Sequence, residues 1–359
     1  MPRCEKGHQM GFVPRCGVCG SKISYTLSVE ELLEIPSVER PREEAIFLLV
    51  DYGAGFPLQQ ISPRGVYILN IALGDEDSLS EGLIMFRRLR SRLWPEYLRE
   101  YGDRLNRLLK IHGVDWSSNR FVLMGSSSPL ALLTSYSKAI DPLNTLLITL
   151  IPGENVSAPE AVNSYSTMWI IDRRGLSSLI VTEGFLDEIS GYSEELGYIE
   201  GGDALIYIIR YIVSSSKEIS RSVSEDRELG IRYYGLAAVI GAHSTVFRDS
   251  SHAMKSLVYR VSIDIAMRSI QSMHIIAAAP RDMQGYIETS YREFIRGFGG
   301  LLNHTLSFVE KGGRLGTYDL VAIIGFRDRP EFEWLRKAYE SVRSRNPEVD
   351  VSLLGDQRV

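Results

Sequence analysis

Apolar residues along this chain gather into short continuous runs separated by stretches of helical spacing. Ala45–Val50, Val66–Leu73, Arg120–Met124, Leu143–Ile151 and Ser177–Thr182 read as buried strands, each closed by glycine, proline, serine or acidic residues. Between them, Ser80–Ile111 carries apolar positions at helical spacing, with Pro95 expected to divide two helices. Leu130–Ala139 and Pro159–Ile171 also read as helices. Strands apolar throughout, alternating with helices, predict an α/β chain with a doubly wound, mostly parallel sheet. A long central helix is expected over Gly202–Ser222. Beyond it the rhythm changes to strands at Tyr234–Ala242, Met273–Ala279 and Asp319–Gly325, with helices near Ser250–Arg268, Ile287–Gly297 and Glu331–Arg345. This part predicts a second, smaller α+β domain. The expected organisation is a metal-binding segment over 1–21, a linker over 22–44, an α/β domain over 45–200, the central helix and its loop over 201–232, and the second domain over 233–359.

Composition narrows the class. Hydrophobic residues make up 44% and charged residues 24% of 359, which excludes a mostly disordered or fibrous chain. A net charge of −5 argues against broad nucleic-acid coating, which needs a positive field to displace counterions. No apolar run reaches the roughly 18–20 residues of a membrane span, and the first residues hold no apolar signal core. A reducing cytoplasm is the expected setting.

The three cysteines all fall within the first twenty residues, and with one histidine they form Cys4-x3-His8-x7-Cys16-x2-Cys19. Two close pairs of soft ligands suit a tetrahedral Zn²⁺, each pair gripping the ion from one tight turn. Gly7, Gly17 and Gly20 supply the backbone freedom such turns need. Four protein ligands leave no open position, so the expected zinc is structural, in a segment resembling a zinc ribbon that docks a protein partner.

Two small-residue bends follow predicted strands. Gly53-Ala-Gly55 comes after Ala45–Val50, and Gly125-Ser126-Ser127-Ser128 comes after Arg120–Met124 and opens a helix at Pro129. The second reads either as an anion site at a helix N-terminus or as a serine N-cap with no ligand. The first reads either as its companion or as a plain tight turn. Asp203, in the first turn of the central helix, reads as a ligand contact or as a complement to the helix dipole. No Gly-x-Ser-x-Gly hydrolase elbow is present.

The order of these elements, with the stretches Leu146–Glu154, Ser177–Ile189, Gly201–Leu205 and Tyr233–Gly241, resembles the tubulin/FtsZ superfamily of GTP-binding cytoskeletal proteins. The resemblance implies phosphate contacts from Gly53, Gly55, Gly125, Ser126, Ser127 and Ser128. It implies a ribose-side loop ending at Glu154, and guanine recognition by Asp203. Glu183 stands where the family usually has asparagine. In that family, acidic residues after the central helix serve the next subunit's nucleotide through Asn-x-Asp-x-x-Asp. Aligning the last aspartate on Asp226 leaves Arg221 and Val223 at the other positions, so Asp226 with Glu225 is the remaining catalytic pair, and their alternative is a solvated turn. The expected function is a divergent tubulin/FtsZ-like protein that binds GTP or GDP, self-assembles or docks partners through its zinc segment, and has weak or absent GTPase activity. Two alternatives stand: an α/β enzyme or regulator with another small ligand at the sheet switch point, and a scaffold retaining only zinc.

Overall fold

The computed structural model describes residues 45–51, 66–80, 82–114, 119–243, 250–263, 269–311 and 317–354. The expected zinc ligands Cys4, His8, Cys16 and Cys19, the linker, and Gly53 and Gly55 lie outside them. The strands are β1 (Ala45–Val50), β2 (Val66–Gly74), β3 (Ser78–Ser80), β4 (Leu83–Arg87), β5 (Arg120–Gly125), β6 (Thr145–Ile151), β7 (Ser177–Thr182), β8 (Ser190–Ser193), β9 (Gly197–Glu200), β10 (Tyr233–His243), β11 (Ser272–Ala279), β12 (Asn303–Glu310) and β13 (Thr317–Phe326). The helices are α1 (Trp94–Ile111), α2 (Pro129–Tyr136), α3 (Ala158–Arg174), α4 (Glu183–Glu188), α5 (Gly201–Ser214), α6 (Ser216–Glu228), α7 (Ser250–Tyr259), α8 (Arg281–Gly297) and α9 (Glu333–Arg343).

One sheet runs in the order β12-β11-β13-β10-β7-β6-β5-β1-β2-β4-β3. From β4 to β10 every neighbouring pair is parallel. Beyond β10, β13 is antiparallel to both β10 and β11, and β12 pairs parallel with β11. The two halves expected as separate sheets are thus continuous through Tyr233–Gly235 of β10 on Ser178–Ile180 of β7.

Alternate residues of each parallel strand feed two cores, as a period of two requires. Ile46, Leu48 and Val50 pack with Leu105 of α1, Leu132 of α2 and Ile171 of α3. Ala45, Phe47 and Leu49 pack with Leu205, Ile208 and Ile212 of α5 and Val223 of α6. Burial on both faces explains why these strands lack polar alternation. A third core joins Met273, Ile275 and Leu320 to Leu257 of α7 and Ile287 of α8.

Three expectations are corrected. Pro95 does not divide two helices: it sits in the first turn of the single helix α1, where its missing N–H costs nothing. The stretch before it forms β3 and β4, an antiparallel pair at the end of the sheet. The central helix is two helices meeting at Ser215, inside a run of serines, which are weaker helix formers than the residues around them. Two further features were not foreseen: the β8–β9 hairpin before α5, and the strand β12.

Candidate functional site

The carboxyl ends of β1, β5, β6 and β7 lie side by side. Val50 pairs with Met124, Gly125 with Leu150, and Ile151 with Thr182. Chain order reverses at β1, which has β2 on one side and β5 on the other. In an open α/β sheet this switch point leaves a crevice beyond the strand ends, because the loops there diverge to opposite faces. Asp51, the residue after β1, has φ 49°, a left-handed conformation uncommon for a non-glycine residue. Its N–H is fixed to the Ile71 carbonyl at 2.7 Å.

The serine bend stands at that crevice, and its hydrogen bonds are internal. Ser126 N–H and Oγ both donate to the Leu150 carbonyl, at 3.0 and 2.7 Å. The Ser128 N–H donates to the Gly125 carbonyl at 3.0 Å. Ser128 Oγ caps α2 by accepting the Leu130 N–H at 3.2 Å. Ser126 is fully buried and Ser128 nearly so, while Gly125 and Ser127 are half-buried. Of the two readings of this bend, the N-cap is therefore formed.

The arginine-rich segment between β4 and α1 is tied to the same bend by Asn163 of α3. The buried Asn163 amide donates to the carbonyls of Arg92 (2.8 Å) and Ser127 (3.0 Å), and its oxygen accepts the Trp94 N–H at 3.0 Å. Tyr97 Oη accepts the Leu89 N–H at 3.0 Å. Burial pushes the Tyr97 hydroxyl up, against the opposing pull of that N–H and of the Arg88 charge; Asp51 also lies close enough to raise it.

The remaining predicted residues scatter. Glu154 is exposed in the loop after β6. The same loop is latched by Glu183 Oε2, which accepts the Gly153 N–H at 2.6 Å; a Cβ on Gly153 would meet that oxygen at 2.5 Å. Asp203 is exposed in the first turn of α5, whose Gly201 N–H is held by the Ile189 carbonyl at 3.0 Å. Asp226 lies in the last turns of α6 and is fully buried. It accepts Ser272 Oγ (2.6 Å), His274 Nε2 (2.6 Å) and Asn303 Nδ2 (2.9 Å). A carboxylate so enclosed is neither a solvated turn nor available to a neighbouring subunit. Its neighbour Glu225 is half-exposed and paired with Arg221.

Sequence reasoning passed over a cavity of about 680 Å³ at the carboxyl end of β7, beside Ala238 in the middle of β10, whose walls include Phe185, Glu188, Arg260 and Trp334. None of the predicted residues lines it. Its walls come from segments distant in the chain, so no local pattern marks it. Among the described residues no cluster of metal-ligating side chains is present, and no helix is long and apolar enough to cross a membrane.

No protein-family model and no curated protein matches this sequence. Solved structures do match in fold. CetZ from Methanosaeta thermophila aligns over 87% of this chain and 95% of its own, with TM-score 0.58 and 11% identity. CetZ2 from Haloferax volcanii, a GTPγS-bound protofilament, aligns over 84% and 99%, with TM-score 0.59 and 13% identity. An FtsZ dimer from M. jannaschii, an empty form, aligns over 79% and 88%, with TM-score 0.51 and 10% identity. This chain has the tubulin/FtsZ fold.

Proposed function

We propose that this chain is a divergent tubulin/FtsZ-like protein that binds a guanine nucleotide and assembles with copies of itself, with weak or absent GTP hydrolysis. The observation that carries the reading is the strand order, which sets the end of β1 beside the serine bend at the switch point. Gly53 and Gly55 follow β1 directly in sequence, and Gly125 and Ser126–Ser128 follow β5. In this reading these residues line the phosphate side, Glu154 the ribose side, and Asp203 takes the guanine edge. The protofilament form of CetZ2 supports the assembly half. Burial of Asp226 supports the hydrolysis half, because an attacking water needs a positioned carboxylate that it can reach. Glu225 is the accessible acid that remains. Cys4, His8, Cys16 and Cys19 would hold one structural zinc and present a docking module, on the strength of their spacing alone.

Equilibrium titration with GTP, GDP and ATP, with light scattering to follow assembly, tests this. Saturable binding of GTP and GDP over ATP, with scattering that rises on GTP, is the expected result. No binding at high micromolar nucleotide would remove the nucleotide half. Metal analysis should return about one zinc per chain.

The closed hydrogen bonding of the serine bend favours a second reading, in which the bend is only a cap and the chain is a scaffold. Scattering independent of nucleotide would select it.

A further inference from the structure

We propose that an arginine clamp, Arg88, Arg90 and Arg92, supplies the positive charge for an oligophosphate at the switch point, in place of backbone N–H groups. The proposal rests on reading the carboxyl edge as a nucleotide site, and deepens it. The serine bend spends the Ser126 and Ser128 N–H groups internally and caps the Leu130 N–H with its own hydroxyl. Position 129, the first of α2, is proline and has no N–H to offer. Only the Ser127 N–H of the bend has no acceptor among the described residues, and one N–H is too little for the charge of an oligophosphate, so most of that charge is to be met from elsewhere.

The segment between β4 and α1 meets that need. Arg88, Arg90 and Arg92 are exposed, and among the described residues none of them makes an ion pair. Such charges are normally satisfied by a nearby acid or left on a mobile tip. This segment is instead built in: the Arg88 N–H on the Gly74 carbonyl, the Leu89 N–H on the Tyr97 hydroxyl, and the Arg92 carbonyl and the Trp94 N–H on the buried Asn163. Asn163 also binds the Ser127 carbonyl, so a single amide group spans the arginine segment and the serine bend. Of the nearest acidic run, Asp77 is spent on Arg104 and on the Arg87 N–H, and Asp75 and Glu76 are exposed. Guanidinium forks match phosphate oxygens in pairs, and are favoured where planar two-point recognition of phosphate is required.

The test uses the full chain with three probes: inorganic tripolyphosphate, GTP and guanosine. R88Q/R90Q/R92Q is compared with R99Q/R107Q/K110Q, which removes the same charge further along α1. Each arginine contact should be worth roughly tenfold in affinity, so the first variant, which removes three, should lose about a thousandfold for tripolyphosphate and GTP. The charge-matched variant should keep its affinity for both. Equal losses in the two variants would reduce the effect to a general field and overturn the proposal. GTP binding untouched by R88Q/R90Q/R92Q would overturn the clamp while leaving the nucleotide reading intact. With ATP added as a fourth probe, wild-type binding of tripolyphosphate without discrimination between GTP and ATP would keep the clamp and end guanine recognition. Binding of guanosine as tightly as GTP, or of none of the probes, would overturn the clamp.

Discussion

Asp203 opens α5 and Asp226 lies near the end of α6, one carboxylate toward each end of the same helix pair, yet solvent reaches the first and not the second. Along the chain the two look alike: acidic residues at helix ends, each at a position the tubulin/FtsZ resemblance assigns to nucleotide chemistry. In three dimensions Asp203 has no side-chain partner among the described residues, whereas Asp226 takes bonds from Ser272, His274 and Asn303. The difference teaches that residue type and spacing nominate a carboxylate for chemistry, and that burial decides whether it can take part. An enclosed, fully bonded carboxylate holds α6 to β11 and β12. An exposed one without partners remains available to a ligand.

The largest expected effect follows from that contrast. Asp226→Ala leaves the buried His274 and Ser272 and the half-buried Asn303 without their acceptor and should destabilise the protein by about 3–5 kcal/mol, read by denaturant unfolding. Asp203→Ala should change stability by no more than about 0.5 kcal/mol. Equal effects would break the comparison. Asp319→Ala comes next. Asp319 is buried and accepts Tyr207 Oη (2.8 Å), Tyr211 Oη (2.7 Å), Lys311 Nζ (2.7 Å) and the Gly241 N–H (2.7 Å). Its removal strands a nearly buried ammonium and should cost about 3 kcal/mol. Ser128→Ala should cost about 1 kcal/mol through the lost cap on α2. If the cost is much smaller, Ser128 is not acting chiefly as a cap.

A further test sharpens the contrast at alkaline pH. Burial first, then the Asp319 charge, raises Tyr211; burial, then the hydrogen bond to Asp172, raises Tyr233; burial raises Tyr291; and burial, then Asp226, raises Tyr234. Their folded-state values lie above those of the unfolded chain. The native state therefore holds its protons where the unfolded state releases them, and stability is fully present below about pH 10 and falls as pH rises beyond it. Unfolding free energies between pH 9 and 11 should decline. A flat profile would mean that these hydroxyls are not enclosed.

Legibility in the sequence followed the source of each signal. Ala45–Val50 and Ser177–Thr182 were readable to the residue because strands buried on both faces need no partner to declare themselves. Leu83–Arg87 was not, because Leu-Ile-Met-Phe fits a helical stripe as well as an alternating one, and only pairing with β2 decides. β12 escaped notice because its polar-flanked pattern Asn-His-Thr-Leu-Ser-Phe-Val-Glu gains order from pairing with β11. The serine bend was legible as two readings. What closes it, the Leu150 carbonyl and the Ser164 hydroxyl, arrives from β6 and α3. Asn163, which joins the arginine segment to the bend, gave no local signal at all.

Hydrogen exchange with and without GTP tests the central claim, that ligand binds at the β1–β5 switch point, most directly. Exchange should slow in 87–93 and 125–130, with no change in 272–279 or 303–310 around Asp226. Protection confined to the walls of the β7–β10 cavity, or to the Asp226 region, would contradict it.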